Sequence, residues 1–263
     1  MKTSVCIEMI YTEVPFLERF EKAARQGFDA VEFWNWDNKD MPAVKLAAQK
    51  AGIKIATFQS NLGGTLIHPD HRANFVSGIK KSLEKAVEMG VTSLFLLSDE
   101  LGDDRSVRFQ FPELGDDAKY HSVLDGLKML APLAEKAGVT LVLEPLNVLV
   151  DHPGYYLNGS AIGFDLVRAV ESPNIRLLFD IYHLQVMEGN IIQKLTSNLD
   201  VIGHIHVADV PGRHQPGTGE LNYRNIFKAL KDANYQGYIG FEYEPTIPSE
   251  EAAASSLALL AGL

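Results

Sequence analysis

Residues 203–223 bring together side chains that can bind a metal ion or transfer a proton. The segment reads GHIHVADVPGRHQPGTGELNY, and its β-branched start is followed by prolines and glycines, so a short buried strand should lead into an irregular loop. Side chains alternate along a strand, so His204 and His206 share one face. We expect His204, the deeper of the two, to be a hydrogen-bonded core residue. His206, at the carboxyl end of the strand, is the candidate ligand or catalytic residue.

Three carboxylates stand at the ends of three other apolar stretches: Glu144, Asp180 and Glu242. If these strand ends meet His206, the site holds three like charges, which repel at close range unless a cation binds them. A divalent metal is the simplest explanation. Three oxygen donors and one nitrogen, without cysteine, suit Mn²⁺, Mg²⁺ or Co²⁺ better than a structural zinc ion.

Such a site predicts proton transfer on a 2-hydroxy ketone. A metal that binds the carbonyl and the neighbouring hydroxyl stabilises the enediolate formed when the intervening carbon loses a proton. Glu144 and Glu242 are long enough to contact metal and substrate together, so we expect them to be the acid and the base. Asp180, which is shorter, is assigned to the metal alone. Return of a proton to the adjacent carbon gives isomerisation, and return to the same carbon gives epimerisation.

Two further residues are candidates for substrate binding. His183 lies three residues after Asp180, where a neutral imidazole could donate to a substrate oxygen or support a ligand carboxylate. Arg213 could hold the carboxylate of an acid substrate as a planar fork. Its alternative role is to shape its own loop by pairing with Glu220 or Asp209.

Other polar and aromatic residues also lie near strand ends. Trp34 and Trp36 could form an apolar wall over the substrate or simply pack. Glu32 lies inside a strand and is expected to be a structural polar residue beneath the site. Glu8 could touch the substrate, and the sequence assigns no role to His214.

The elements that would position these residues alternate between short apolar strands and longer helical patterns, which is typical of βα units. We predict strands at residues 5–7, 30–33, 54–58, 93–97, 140–143, 176–179, 203–207 and 238–241. We predict helices at residues 14–27, 41–51, 70–89, 117–137, 160–170 (with Ser160 as N-cap), 190–197, 223–233 and 249–260. Eight pairs predict an α/β fold, a (β/α)8 TIM barrel that spans residues 1–263 as a single domain. A doubly wound sheet would normally have a glycine-rich turn after its first strand, and none follows here.

Composition narrows the function classes. The 263 residues are 46% hydrophobic and 22% charged, with a net charge of −10, which is typical of a globular protein and unfavourable for a nucleic-acid partner. The single cysteine, Cys6, is expected to be a buried thiol in a reducing compartment. We find neither a signal peptide nor a membrane span in the sequence and expect a cytoplasmic protein without a membrane partner.

Two segments leave alternatives open. The acidic, glycine-containing loop at residues 99–116 is long enough to be a lid or a substrate-binding segment, and a solvated excursion explains its composition equally well. The small-residue run at residues 252–258 could pack against another subunit, so a homo-oligomer is allowed by the sequence.

Several motifs resemble the hydroxypyruvate isomerase family, which belongs to the xylose isomerase-like barrels together with the ketose 3-epimerases. They are LVLEPLN (141–147), LLFDIYHLQVMEGN (177–190), the segment 203–223 and GYIGFEYEP (237–245), with FEKAARQGFDAVEFW (20–34) in support. The resemblance implies that Glu144, Asp180, His206 and Glu242 bind the metal, that Glu144 and Glu242 are also acid and base, and that His183 and Arg213 contact the substrate. Position 206 resembles the epimerases, which also have histidine there. The segment FQSNLGGTLIHPDHR (58–72) is shorter than the segment that follows the third strand in hydroxypyruvate isomerases.

The leading hypothesis is therefore a metal-dependent isomerase of a small hydroxy-oxo acid such as hydroxypyruvate. The nearest alternative is a 3-epimerase of unphosphorylated ketoses. A metal-dependent endonuclease is disfavoured by the acidic charge, and a non-catalytic sugar-binding barrel by the two additional glutamates. No glycine-rich phosphate cradle is evident near the last two strands, so we expect an unphosphorylated substrate.

Overall fold

The computed structural model describes residues 1–261 as a barrel of eight parallel strands. Their order is β3-β2-β1-β8-β7-β6-β5-β4, and Ser60 N donates to Phe95 O at 2.9 Å where β3 approaches β4. The predicted TIM barrel is confirmed; residues 262 and 263 of the predicted domain lie outside the described residues. The strands are β1 Lys2–Cys6, β2 Ala30–Phe33, β3 Lys54–Phe58, β4 Ser93–Leu96, β5 Thr140–Leu143, β6 Ile175–Asp180, β7 Ile202–Val207 and β8 Tyr238–Phe241.

Helices follow the strands and cover the outside of the barrel. They are α1 Arg19–Gln26, α2 Met41–Ala51, α3 Pro69–Met89, α4 Asp116–Ala137, α5 Ser160–Val170, α6 Ile181–Met187, α7 Ile191–Thr196, α8 Tyr223–Asp232 and α9 Ser249–Ala261, with 3-10 turns at Phe16–Glu18 and Trp36–Asn38. Several helices end where the sequence places a glycine; Gly52 and Gly90, for example, adopt left-handed φ angles of 68° and 72°, which glycine adopts without steric cost. Among the described residues, no helix is both long and apolar enough to cross a bilayer.

Three helical predictions differ from the structure. The first predicted helix begins as a 3-10 turn, so its α-helical part starts only at Arg19. Helix α6 follows β6 directly and is absent from the predicted elements; the side chain of Asp180 caps it by accepting from His183 N at 3.0 Å. Ser160 is the first residue of α5, not its N-cap, and its N–H donates to Glu188 Oε1 at 3.0 Å. Gly159 occupies the N-cap position without a side-chain cap, and the carboxylate of Glu188 satisfies one of the free amides of the first turn.

The interior of the barrel combines an apolar layer with a polar network. Phe95, Val142 and Leu178 form a small cluster separate from the larger core beneath the helices. The buried thiol of Cys6 belongs to that larger core, as predicted. The small-residue run at 252–258 turns one face inward, where Ala252, Ala253 and Ser256 are buried; its role in an oligomer stays a prediction.

Candidate active site

The four predicted ligands meet at the carboxyl ends of β5 to β8. One ligand atom each from Glu144, Asp180, His206 and Glu242 lies within 4.8 Å of all the others, and all four residues are buried. His206 Nδ1 faces the three carboxylates, at 3.2 Å from Glu242 Oε2, 3.5 Å from Glu144 Oε1 and 3.9 Å from Asp180 Oδ2. Parallel strands bring residues that are far apart in sequence to one point, as the strand-end pattern predicts.

This cluster fits a divalent cation. His206 Nδ1 and Glu144 Oε1 are buried and make no hydrogen bond with any other group of residues 1–261, which is costly for polar atoms unless a ligand satisfies them. Three carboxylates and one imidazole are donors that suit Mn²⁺, Mg²⁺ or Co²⁺.

Glu32, in the middle of β2, fixes the imidazole of His206. Its Oε2 accepts from His206 Nε2 at 2.8 Å and its Oε1 accepts from His204 Nε2 at 2.9 Å and from Ser4 Oγ. Because a carboxylate accepts, Glu32 holds a proton on His206 Nε2 and turns Nδ1 toward the three other carboxylates. Burial disfavours the charged imidazole, yet Glu242, Glu32 and Glu144 outweigh it and raise the pKa of His206 well above its usual range, so a bound cation would replace the proton on Nδ1. His204 is a hydrogen-bonded core residue, as expected, and Glu32 lies beneath the site. The sequence signal for Glu32 is a charge amid the apolar residues of AVEF.

Gly240 makes room for this network. A Cβ at position 240 would lie 2.6 Å from Glu32 Oε1, 2.8 Å from His206 Cδ2 and 2.9 Å from His204 Nε2. Atoms do not approach a real Cβ so closely, so the strand β8 needs glycine opposite the paired histidines.

The two glutamates differ in acidity. Burial, with the nearby charges of Glu242 and Asp180, raises the pKa of Glu144 to about 7, although His206 opposes the shift. Burial also disfavours ionised Glu242, yet His206 and Arg213 outweigh it and hold the pKa of Glu242 well below its usual range. A pair of carboxyl groups whose environments move their pKa values apart can divide the roles of acid and base.

Arg213 and Trp34 hold the carboxylate of Glu242. Arg213 Nη2 donates to Glu242 Oε2 at 2.7 Å, and Trp34 Nε1 donates to Oε1 at 2.8 Å. The guanidinium lies over the ring of Tyr182, 5.4 Å from its centroid, and its Nε is buried without a partner. Among the described residues, Arg213 thus pairs with a carboxylate of the site and with neither Glu220 nor Asp209.

His183 is placed as a neutral hydrogen-bond donor. Its Nδ1 lies 2.7 Å from Asn147 Nδ2 and also accepts from Asn147 N at 3.3 Å, so the proton resides on Nε2. That Nε2 is buried without a hydrogen-bond partner, 3.8 Å from Asp180 Oδ2. Burial and the nearby Arg213 and His152 keep the pKa of His183 well below its usual range. Asn147 is not among the residues predicted for the site, although it lies within the LVLEPLN motif.

The remaining candidates divide between the site and its surroundings. Trp34 lines the cavity, whereas Trp36 donates to Ser82 Oγ at 2.9 Å, away from it. Glu8 forms an ion pair with Lys39 at 2.7 Å. His214 Nδ1 lies 2.9 Å from Glu244 O, where it shapes the loop after β7.

A cavity of about 640 Å³ opens above the cluster and includes Glu144, His183, Arg213 and Glu242 in its lining. Several lining residues belong to the segment 99–108. Part of the segment predicted as a lid or a substrate-binding segment thus lines the cavity, and its role there stays a prediction.

Comparisons with known proteins find a family model, isomerases and a solved structure that are similar to this chain. Residues 20–263 match the family model described as xylose isomerase-like TIM barrel. The chain is 33% identical over 247 residues to 2-oxo-tetronate isomerase of Cupriavidus necator, covering 91% of both proteins. It is 30% identical over 258 residues to hydroxypyruvate isomerase of Escherichia coli, covering 95% of this chain and 96% of that one. A solved structure described as an AP endonuclease, family 2, from Brucella melitensis superimposes with a TM-score of 0.87 at 26% identity, covering 98% of this chain and 99% of the other.

Proposed function

This chain belongs to the hydroxypyruvate isomerase family of xylose isomerase-like TIM barrels, and on that premise we propose that it isomerises a small hydroxy-oxo acid. The reaction would interconvert hydroxypyruvate and tartronate semialdehyde, or a close analogue such as 2-oxo-tetronate. One observation carries the proposal: Glu144 and Glu242 are buried members of a single cation-type donor cluster, with ligand atoms within 4.8 Å of each other. Two carboxyl groups beside one bound substrate can remove a proton from one carbon and deliver a proton to the next.

In the proposed mechanism, Glu144, Asp180, His206 and Glu242 hold a divalent metal, Mn²⁺ or Mg²⁺, with Co²⁺ as a further candidate. When bound, this cation would polarise the substrate carbonyl and stabilise developing negative charge on the substrate oxygens. Glu32 keeps His206 in the tautomer that leaves Nδ1 for the ion. Asp180 has no second duty, because its other oxygen caps α6.

The proton path uses the two glutamates. Glu242, ionised beside Arg213 and Trp34, removes a proton from the carbon that bears the hydroxyl group. Glu144 delivers a proton to the adjacent carbon, and the hydroxyl proton moves to the former carbonyl oxygen; Glu242 then releases its proton to solvent and Glu144 takes one up. His183 donates from Nε2 to a substrate oxygen, and Arg213 contacts the substrate through nitrogens that Glu242 does not use.

Epimerisation of a ketose is the second candidate, because the same two glutamates could return the proton to the original carbon. Histidine at position 206 also resembles the residue that the epimerases have there. The endonuclease interpretation is weaker. The net charge of −10 opposes binding of a phosphate backbone, although the Brucella structure bears an endonuclease description. We further propose a small-molecule substrate, no nucleic-acid or membrane partner, and a cytoplasmic location.

A product panel tests the proposal. Purified protein supplied with Mg²⁺ or Mn²⁺ is incubated with hydroxypyruvate, 2-oxo-tetronate and a neutral ketose such as fructose, and the products are identified by chromatography. We expect conversion of at least one oxo acid to its isomer. Conversion of the neutral ketose alone would favour the epimerase. If none of the three compounds is converted, the proposed function is wrong.

A further inference from the structure

Three arginines line the cavity among the described residues, and two are already paired. Arg213 is bonded to Glu242 at 2.7 Å, and Arg108 Nη1 lies 3.3 Å from Glu100 Oε1. The third, Arg105, has only a loose contact, 3.9 Å from Nη2 to Glu244 Oε1. Its side chain is 48% exposed, so this contact contributes little. Arg105 is thus the cavity arginine whose guanidinium is most available to an anion.

The backbone of Arg105 is held in place at the turn of a short hairpin. Its N–H donates to Gly102 O at 3.0 Å, and its carbonyl lies 3.0 Å from His152 Nδ1. Its φ of 65° is left-handed, a conformation that a non-glycine residue keeps only when its surroundings fix it. The hairpin is closed by Gly102 N donating to Ser106 O at 2.8 Å. The guanidinium therefore projects from an anchored turn.

This turn places Arg105 across the mouth of the barrel. In the strand order, β4 and β8 stand opposite each other. The hairpin follows β4, yet the guanidinium reaches Glu244, two residues after Glu242 at the end of β8. Below it, the ring of His152 lies 5.3 Å from that of His183. The loop therefore spans the mouth of the barrel from the β4 side to the β8 side and lines the same cavity as Glu144 and Glu242.

We propose that Arg105 binds the carboxylate of the substrate, in exchange for its loose contact with Glu244. This inference rests on the proposed function, because only an acid substrate needs such a cation. Arg213 fits this role less well, since its Nη2 is already bonded to Glu242 at 2.7 Å and its guanidinium lies against the ring of Tyr182. An arginine can offer two parallel hydrogen bonds to a carboxylate. Arg105 would then determine the preference for oxo acids over neutral hydroxy ketones.

The test compares Arg105→Gln with Arg108→Gln, a matched control on the same loop. Each variant is assayed with hydroxypyruvate, and the binding of glycerate, an unreactive reduced analogue, is measured by calorimetry beside its neutral counterpart glycerol. We expect Arg105→Gln to raise both the KM for hydroxypyruvate and the Kd for glycerate at least tenfold, as loss of a charge-assisted contact predicts. kcat should stay within threefold, and Arg108→Gln should stay within threefold in all three quantities.

A glycerate affinity that is unchanged in Arg105→Gln would overturn the inference, and so would a loss that Arg108→Gln shares equally. Glu244→Gln should have the opposite effect on the KM for hydroxypyruvate, because it removes the carboxylate that competes with the substrate for Arg105. The KM should fall or stay constant, and a tenfold rise would contradict the proposed exchange of Glu244 for substrate. A parent protein that converts no oxo acid would instead refute the proposed function, which separates the two failures.

Discussion

Glu32→Gln tests how the carboxylate of Glu32 supports His206 as a proposed metal ligand. Glutamine has the shape of glutamate, and with its oxygen toward His206 Nε2 it still accepts there, so the variant removes a buried charge 2.8 Å from the ring. Its amide nitrogen then replaces the oxygen that accepted from His204 Nε2 and Ser4 Oγ, so those two hydrogen bonds are lost as well. A hydrogen bond to a charged group contributes about 1.5–3 kcal/mol and a neutral one about 0.5–1.5 kcal/mol. The difference of about 1–1.5 kcal/mol corresponds to a loss of about 5–12-fold in metal affinity. The 10–100-fold losses typical of such supporting residues agree with this magnitude at their lower end.

Metal affinity is measured by competition with a chromophoric chelator, with Mn²⁺ as the probe, on parent, Glu32→Gln and Ser4→Ala. Ser4→Ala is the control, because it removes another hydrogen bond to Glu32 and leaves His206 untouched. Circular dichroism verifies that each variant is folded. We predict a loss in Glu32→Gln alone, with Ser4→Ala within threefold of the parent. Equal affinities in all three folded proteins would refute the role assigned to Glu32.

Three other predictions follow from single residues. Glu144→Gln and Glu242→Gln should each lower kcat by about 10²-fold or more, as loss of an acid-base group does, with an unchanged circular dichroism spectrum; a kcat within a few-fold of the parent for either would refute the two-glutamate mechanism. Gly240→Ala should destabilise the fold by about 1–3 kcal/mol through the clash with Glu32, and an unchanged Tm would contradict that packing. Burial raises the pKa of Asp99 to about 6, because the folded state favours the protonated carboxyl group. The contribution of Asp99 to stability is therefore complete below about pH 4 and is lost as pH rises to 6 and the group ionises. Asp99→Asn should gain stability relative to the parent across that window, by about 3 kcal/mol at pH 7; urea unfolding at pH 4 and 7 measures the gain, and a constant difference would refute it.

The barrel and the meeting of its strand ends are predictable from the sequence. Ala30–Phe33, Thr140–Leu143 and Tyr238–Phe241 occupy the predicted bounds, because short apolar runs flanked by turn residues leave little choice of register. Residues that end such strands must converge in a closed parallel barrel. For this reason the sequence alone places Glu144 and Glu242 together, although they lie nearly a hundred residues apart.

Features that the sequence does not reveal depend on contacts between distant elements. Helix α6 exists because Asp180 caps it, and a seven-residue helix gives little periodic signal. The bond between Arg213 and Glu242 joins two loops whose relative position no local pattern encodes. Arg105 is similar: its sequence neighbours indicate only a polar loop, and its place over the mouth follows from the hairpin and from His152.

Conversion of hydroxypyruvate in D₂O tests most directly whether two glutamates at a divalent cation move a proton between neighbouring carbons of a hydroxy-oxo acid. The trapped product is examined by mass spectrometry with Mg²⁺, with excess chelator, and after Mg²⁺ is restored. We predict deuterium on the carbon that receives the proton, loss of turnover in chelator, and recovery with metal. Full turnover in chelator, or a product without deuterium at that carbon after many turnovers, would contradict this mechanism.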